Sequence, residues 1–288
     1  MKLILDVHVH PFRRWPSFDG EVTKAGSELI DQSELLIHEM DAHGVGMAVA
    51  LYGGCSNEQL QAMVRKYPKR LIAFCGWWHP TDCESSAAET IQKWLREPEF
   101  KGVGEVPIYK FGVRGKTGVL PELDMNEVRN VMDVVSEKNV PIHFCTGFYY
   151  TPPGFEPIPL LWKNPMLIDT IAMEYHDTPI IIGHCGGLYP PYNENALLLA
   201  YAYDNLYLDT SKAPTHVIEK AVSDIGASRL LFGTDWNGGK PLPFGPRSQS
   251  ECHLYRRNLR VIEEARISDN DKDLILFENL KQLLHLNV

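Results

Sequence analysis

At 288 residues the chain is long enough to bury one large core and falls within the range of a single α/β barrel domain. A hydrophobic share of 44% and a charged share of 23% are ordinary for a globular enzyme and exclude a disordered or low-complexity chain. The formal net charge of -9, with no lysine–arginine stripe, excludes nucleic acid as the expected partner.

No apolar stretch is long enough to span a bilayer, so no membrane partner is expected. The first apolar run starts at residue 3, with no basic segment, long apolar core and small-residue cleavage site at the N-terminus, and no secretory signal is read there. The six cysteines, Cys55, Cys75, Cys83, Cys145, Cys185 and Cys252, are scattered without a CxxC pair. That pattern favours free thiols in a reducing cytoplasm over a disulfide frame. Cys145 and Cys185 stand beside His143 and His184, and both read as core residues.

In chain order, short apolar runs predict strands at 3–10, 46–52, 71–78, 102–108, 140–145, 179–184, 206–210 and 230–235. Their near-continuous hydrophobicity suits strands covered on both faces, as in a parallel sheet. Helical periodicity fills the gaps. A Ser33 cap precedes Leu35, Leu36 and Met40, while Ser56 with Gln59 and Ser86 with Glu89 form capping boxes. Asp124 with Glu127 opens the next helix, and Asn164-Pro165 starts another, with proline where its missing N–H costs nothing. Further helical segments cover 193–203, 214–226, 250–265 and 270–285, the last striped by Leu274, Phe277, Leu280 and Leu284.

Eight strand–helix units predict one (β/α)₈ TIM barrel domain over 1–288. The competing doubly wound sheet lacks support, because no GxGxxG follows the first strand and residues 183–187 do not match a phosphate loop. The Pro/Gly-rich stretches 147–159, 185–193 and 237–247 read as loops over a site.

A parallel barrel opens the carboxyl ends of its strands onto one face, where active sites assemble. Strand one ends in His8 and His10, which share a side at a two-residue spacing and can chelate Zn²⁺ or a similar ion. Strand four ends near Glu105, strand five at His143, strand six at His184 and strand eight at Asp235. Any one of these could be a satisfied core group. Burying all of them without a metal or a reaction would be costly, so together they predict a catalytic centre.

The segments Asp-Val-His-Val-His, Val-Pro-Ile-His-Phe, Ile-Ile-Gly-His-Cys-Gly-Gly and Leu-Leu-Phe-Gly-Thr-Asp-Trp occur in an order that resembles the amidohydrolase superfamily. The chain is most similar to the amidohydrolase-related branch that includes aminocarboxymuconate-semialdehyde decarboxylase, and residues 277–284 look like its C-terminal helix. The resemblance implies a distorted barrel with a catalytic divalent metal, usually Zn²⁺. It implies His8, His10, His143 and Asp235 as ligands or neighbours of the metal, and His184 as a base that polarises the substrate. Glu105 departs from that branch. TatD-like deoxyribonucleases of the same superfamily carry a glutamate there that bridges two metals. One ion is expected, with Glu105 holding a ligand histidine, and two ions are the alternative.

Such a centre lowers the pKa of water to about 7, and the expected activity is hydrolysis of an amide, ester or lactone, with Asp235 as acid–base and His184 stabilising the oxyanion. The alternative is non-oxidative decarboxylation of an unsaturated or aromatic acid; an inactive metal-binding protein is the third reading. The expected partner is a small molecule, and self-association is left open. Arg13, Arg14 and Arg247 are candidates for a substrate carboxylate. Phe12, Trp15, Trp77, Trp78, Phe148, Tyr149, Tyr150 and Trp236 crowd the same face and predict a pocket for a flat molecule, with His79 as a further contact. Asp209 and Lys212 are weaker candidates.

Overall fold

The computed structural model describes residues 3–14, 29–53, 55–77, 85–107, 125–147, 163–187, 189–237 and 254–288. Among them an eight-stranded parallel sheet wraps into a barrel in the order β1 (Ile4–Val9), β4 (Val45–Ala50), β5 (Leu71–Cys75), β6 (Phe100–Pro107), β7 (Ile142–Cys145), β8 (Ile180–Ile182), β9 (Leu206–Asp209), β10 (Leu230–Leu231). These are the eight predicted strands, mostly shorter than expected, although β4 starts one residue and β6 two residues earlier than the sequence suggested. The ring closes where β1 meets the last strand: Val7 N–H donates to the Phe232 carbonyl at 2.9 Å, His10 N–H donates to Trp236 O at 2.6 Å, and Val9 bridges Trp236.

Alternation along the strands divides the core into two layers. Leu5, Val7, Met47, Val49, Ile72, Phe74, Ile181 and Leu231 fill the barrel interior together with Leu280 and Leu284 of the C-terminal segment. Their strand neighbours, such as Ala48, Ala73, Ile180, Ile182 and Leu230, pack outward against the helices.

Those helices are α1 (Ser33–His43), α2 (Asn57–Lys66), α3 (Ala87–Trp94), α4 (Met125–Lys138), α5 (Asp169–Glu174), α6 (Pro190–Ala202), α7 (Thr215–Ile225) and α8 (Leu254–Glu264). Both expected capping boxes form, Ser56 with Gln59 and Ser86 with Glu89. Asn164 caps a short 3₁₀ turn, Pro165–Ile168, that runs into α5. Ser33 is not the cap of α1. Asp31 Oδ1 already accepts Ser33 N–H at 2.8 Å, so Gln32 takes the cap position and Ser33 becomes the buried first helical residue. Asp124 lies outside the described residues.

Two features were not anticipated. A small antiparallel pair, β2 (Phe12–Arg14) with β3 (Leu29–Asp31), stands beside the barrel. The final helix is also interrupted: α9 (Asp269–Asp273) passes through a π turn at Leu274–Glu278 into α10 (Asn279–Leu283). The π turn leaves Ile275 O accepting from Phe232 N–H at 3.0 Å, and Asn279 Nδ2 donates to Ala227 O and Leu230 O, both at 2.7 Å. The tail is thereby clamped to the last strand. No helix of the described residues is long and apolar enough to cross a membrane.

Candidate active site

The centre begins with a break in β1. The β1–β4 register shifts between Asp6 and Val9. There the buried Asp6 carboxylate accepts His8 N–H at 2.9 Å and, from the last strand, Thr234 N–H at 3.2 Å and Thr234 Oγ–H at 2.6 Å. Desolvation pushes Asp6 up to about 7 despite these bonds. They hold strand one to strand eight just below the mouth.

Above that tie, His8 Nε2 and His10 Nε2 stand 3.0 Å apart. Asp235 Oδ1 lies 3.4 Å from the former and 3.6 Å from the latter. Glu105 lies 3.7 Å from His8 Nε2 through Oε1 and 3.3 Å from His10 Nε2 through Oε2. Tetrahedral bonds of ~2.0–2.1 Å to one ion would space its donors about 3.3 Å apart, and these separations bracket that value. The donor chemistry also fits. His8 Nδ1–H donates to Asp209 Oδ2 at 2.7 Å, which leaves the Nε2 lone pair facing the cluster. Burial opposes charge on His8, but Glu105 and Asp209 overcome it and raise its pKa to about 9. Without a metal, the carboxylates recruit a proton to the position a cation would neutralise. Desolvation opposes ionisation of Glu105, but His8, His10 and His184 hold it well below the usual carboxylate range.

His184 completes the ring from strand six. Its Nε2 is 3.0 Å from Glu105 Oε1 and its Nδ1 2.8 Å from Ser211 Oγ. Burial, reinforced by the Lys212 charge, pushes it down to about 4, so it is a neutral imidazole at pH 7.

Asp209 is the hub beneath. Besides His8, its carboxylate meets His143 Nε2 at 3.3 Å and accepts His184 N–H at 3.2 Å, Ser211 Oγ–H at 2.8 Å and Ser211 N–H at 2.8 Å. Desolvation opposes its ionisation, but His8 and these bonds keep it well below the normal range. Gly233 makes room for it, since a Cβ there would meet Asp209 Oδ1 at 2.0 Å. His143 is therefore turned toward Asp209, and its buried Nδ1 has no hydrogen-bond partner. A neutral ring donating from Nε2 presents that Nδ1 as a bare acceptor, which a cation would satisfy.

Two lysines border the cluster. Lys212, three residues past the end of β9, pairs with Asp235. Burial works against Asp235, yet Lys212 and His8 bring it down to about 2. Lys163 is 5% exposed; its carbonyl accepts Gly147 N–H at 2.8 Å beyond β7. Burial pushes it down to about 8, with Lys212 adding to the shift and Cys145 and Glu105 opposing it. Of the six non-glycine residues with positive φ among the described residues, four stand at the mouth, His184, Cys185, Lys212 and Asp235 (59°, 48°, 62° and 53°), while Asn139 and His285 lie elsewhere. Left-handed backbone at non-glycine residues costs ~1–2 kcal/mol each, and such strain tends to collect where a site is built.

The structure thus brings together His8, His10, Glu105, His184 and Asp235, with His143 one hydrogen bond removed through Asp209. Trp236 is not a pocket wall. It is fully buried, and its indole N–H donates to Glu39 Oε2 of α1 at 2.8 Å. Phe12 and Trp77 are likewise in the core. Arg13 and Arg14 lie on β2, where only the backbone is described; Trp15, Trp78, His79, Phe148, Tyr149, Tyr150 and Arg247 lie outside the described residues. Sequence reasoning undervalued Asp209 and overlooked Lys163. The first was detectable as the one strand end whose ionisable group had no assigned role. The second follows a Pro-rich stretch without local periodicity and had no signal.

The family model described as Amidohydrolase matches residues 5–284. Among solved structures, the 2,6-dihydroxybenzoate decarboxylase from Rhizobium superposes with a TM-score of 0.64 at 20% identity, covering 100% of this chain and 99% of that one. A dihydroxybenzoic acid decarboxylase from Polaromonas sp. JS666, with bound manganese and 2-nitroresorcinol, gives 0.65 at 19% identity over 100% and 98%. A probable 2-pyrone-4,6-dicarboxylic acid hydrolase from Acinetobacter baumannii, with citric acid bound, gives 0.62 at 17% over 98% and 99%. A search of curated proteins finds no match. A mouth of convergent imidazoles and carboxylates on a parallel barrel, and a family model spanning nearly every residue, agree: this chain belongs to the amidohydrolase family of enzymes.

Proposed function

We propose that the chain is a metal-dependent hydrolase that cleaves an amide, ester or lactone bond in a small organic substrate. The observation that carries this reading is the ionised Asp235 carboxylate standing 3.4 Å from His8 Nε2 and 3.6 Å from His10 Nε2. His8, His10, Asp235 and Glu105 would hold one divalent cation, for which Zn²⁺ suits the donor set, with His143 held beside them through Asp209. When bound, that cation supplies Lewis acidity to the substrate carbonyl and acidifies a water. Asp235, kept ionised by Lys212, accepts the proton of the attacking water and returns it to the leaving group. His184 is positioned by Ser211, and once its Nε2 carries a proton it would donate to the developing oxyanion. Asp209 fixes the His8 tautomer throughout.

A second reading, decarboxylation of an unsaturated or aromatic acid, uses the same groups, with His184 assisting protonation of the carbon that loses carbon dioxide. The full-length likeness to two decarboxylases supports it. Turnover of metal-loaded protein on esters, lactones, amides and aromatic acids separates the two: carbon dioxide release without a cleaved or ring-opened product selects the second. Asp235→Asn is expected to fold, retain metal and lose about 10²–10⁴-fold in kcat; a near-normal rate removes its proton-transfer role. Metal content near one equivalent is expected. Content near two makes Glu105 a bridge, for which its two oxygens, facing His184 and His10 separately, are already disposed.

A further inference from the structure

Asp235 stands between two tied neighbours. On one side, Thr234 Oγ–H donates to Asp6 Oδ2 at 2.6 Å, and the same Oγ accepts Trp236 N–H at 3.2 Å. On the other, the Trp236 carbonyl accepts His10 N–H at 2.6 Å and the Trp236 indole donates to Glu39 Oε2 at 2.8 Å. Asp235 itself holds a left-handed backbone at φ 53°, which a non-glycine residue keeps only where its surroundings impose it. Three of these ties lie within or between the ends of the first and last strands. The fourth reaches in from α1, outside the barrel.

Glu39 is a part-buried carboxylate three positions after Leu36 and next to Met40, both of which α1 packs into the core. That border of the helix would ordinarily take an apolar side chain. The bond to Trp236 accounts for the carboxylate. The indole is fully buried, so its N–H must find an acceptor, and a charged acceptor makes a stronger hydrogen bond than a neutral one. Trp236 directly follows Asp235 and carries the carbonyl that holds His10, so a shift of the indole is passed to both groups.

We propose that Glu39 is a positioning residue of the reaction centre: by fixing the Trp236 indole from the helical layer, it sets the spacing of His10 and Asp235 for the cation. This assignment rests on the metal-dependent reading of the mouth.

The test is the affinity of the full chain for Zn²⁺ alone, measured by competition with a chelator and with no substrate present. Glu39→Leu leaves the indole N–H without its acceptor and is expected to weaken Zn²⁺ binding by about 10–100-fold, the range for losing a group that orients a ligand. Trp236→Phe removes the donor, keeps a ring in the core and should lose a similar factor. The double variant should bind no more weakly than either single one, because both act through one bond. Glu39→Gln keeps an acceptor oxygen and should retain most of the affinity. Leu280→Ala, destabilised at the opposite end of the barrel, should bind as the unmodified protein does, which separates positioning from lost stability. Unchanged affinity in Glu39→Leu would overturn the proposal. Additive losses in the double variant, a glutamine variant as weak as the leucine one, or an equal loss in Leu280→Ala would do the same. An unmodified protein that binds no Zn²⁺ would sink the parent reading and the positioning role with it, an outcome distinct from a metal-binding protein indifferent to Glu39.

Discussion

The two ends of the barrel are built by the same strands and solve opposite problems. At the floor, Leu5, Val7, Met47, Ile72 and Leu231 meet Leu280 and Leu284 in an entirely apolar plug. At the mouth, one to three residues further along β1, the side chains are His8 and His10, locked to Glu105, Asp209 and Asp235. Burial stabilises the floor additively, at about 25 cal/mol per Å² of apolar surface, so each side chain contributes by itself. The mouth is stable only as a set, because every buried charge there is offset by another. The floor can be repacked; the mouth can only be balanced.

Asp209→Ala is the most severe way to break that balance. It leaves His8 Nδ1, His143 Nε2 and Ser211 without their shared acceptor, and should cost about 3–5 kcal/mol of stability along with most metal affinity. Urea unfolding and elemental analysis check both. Leu280→Ala tests the floor, where a cavity should cost about 2–4 kcal/mol in the same unfolding experiment. Metal content and kcat per folded molecule should stay unchanged, and a drop in either would show that the two ends are coupled.

Lys163→Met sharpens the comparison by raising stability at the mouth. Its folded pKa of about 8 lies below the 10.5 of a free lysine, so the unfolded chain binds more protons between those values and stability rises with pH there. The methionine variant should therefore be more stable by on the order of 1–3 kcal/mol below pH 8, with the gain fading as pH climbs to 10.5. Unfolding free energies at pH 7 and pH 10 measure the difference.

The smallest effect is expected on the surface, at Glu219, which accepts from Arg266 Nε at 3.0 Å and Nη2 at 3.0 Å. Hydrogen bonds from Arg266 bring Glu219 down to about 2 from 4.5, so its contribution is present above pH 4.5 and lost as pH falls toward 2. Glu219→Gln should slightly flatten that acid limb in a thermal-melt series and leave both ends of the barrel untouched.

Sequence made the eight strands legible because short, near-continuous apolar runs report burial on both faces. The β2–β3 pair escaped notice because Phe-Arg-Arg and Leu-Ile-Asp are too short and too charged to show alternation. The π turn was hidden because the stripe of Leu274, Phe277, Leu280 and Leu284 reads as one helix, and only the hydrogen bond from Phe232 explains the break. At the mouth, residues at strand ends were visible, but their pairings were not. Nothing in the run Leu-Tyr-Leu-Asp shows that Asp209 serves histidines from strands one and five. Trp236 misled for a related reason: a tryptophan after a strand end can face either layer, and Glu39 of α1 drew its indole outward.

The seam between β1 and the last strand sets an order of assembly. Val7 reaches Phe232, Asp6 reaches Thr234 and His8 reaches Asp209, so the first strand waits for nearly the whole chain before its outer edge is covered. Ring closure of that span is a slow, late event, and until then both borders of the sheet remain open to foreign strands. The imidazoles of residues 8 and 10 gain their carboxylate partner at 235 in the same step, so a cation held by that set would mark completed folding.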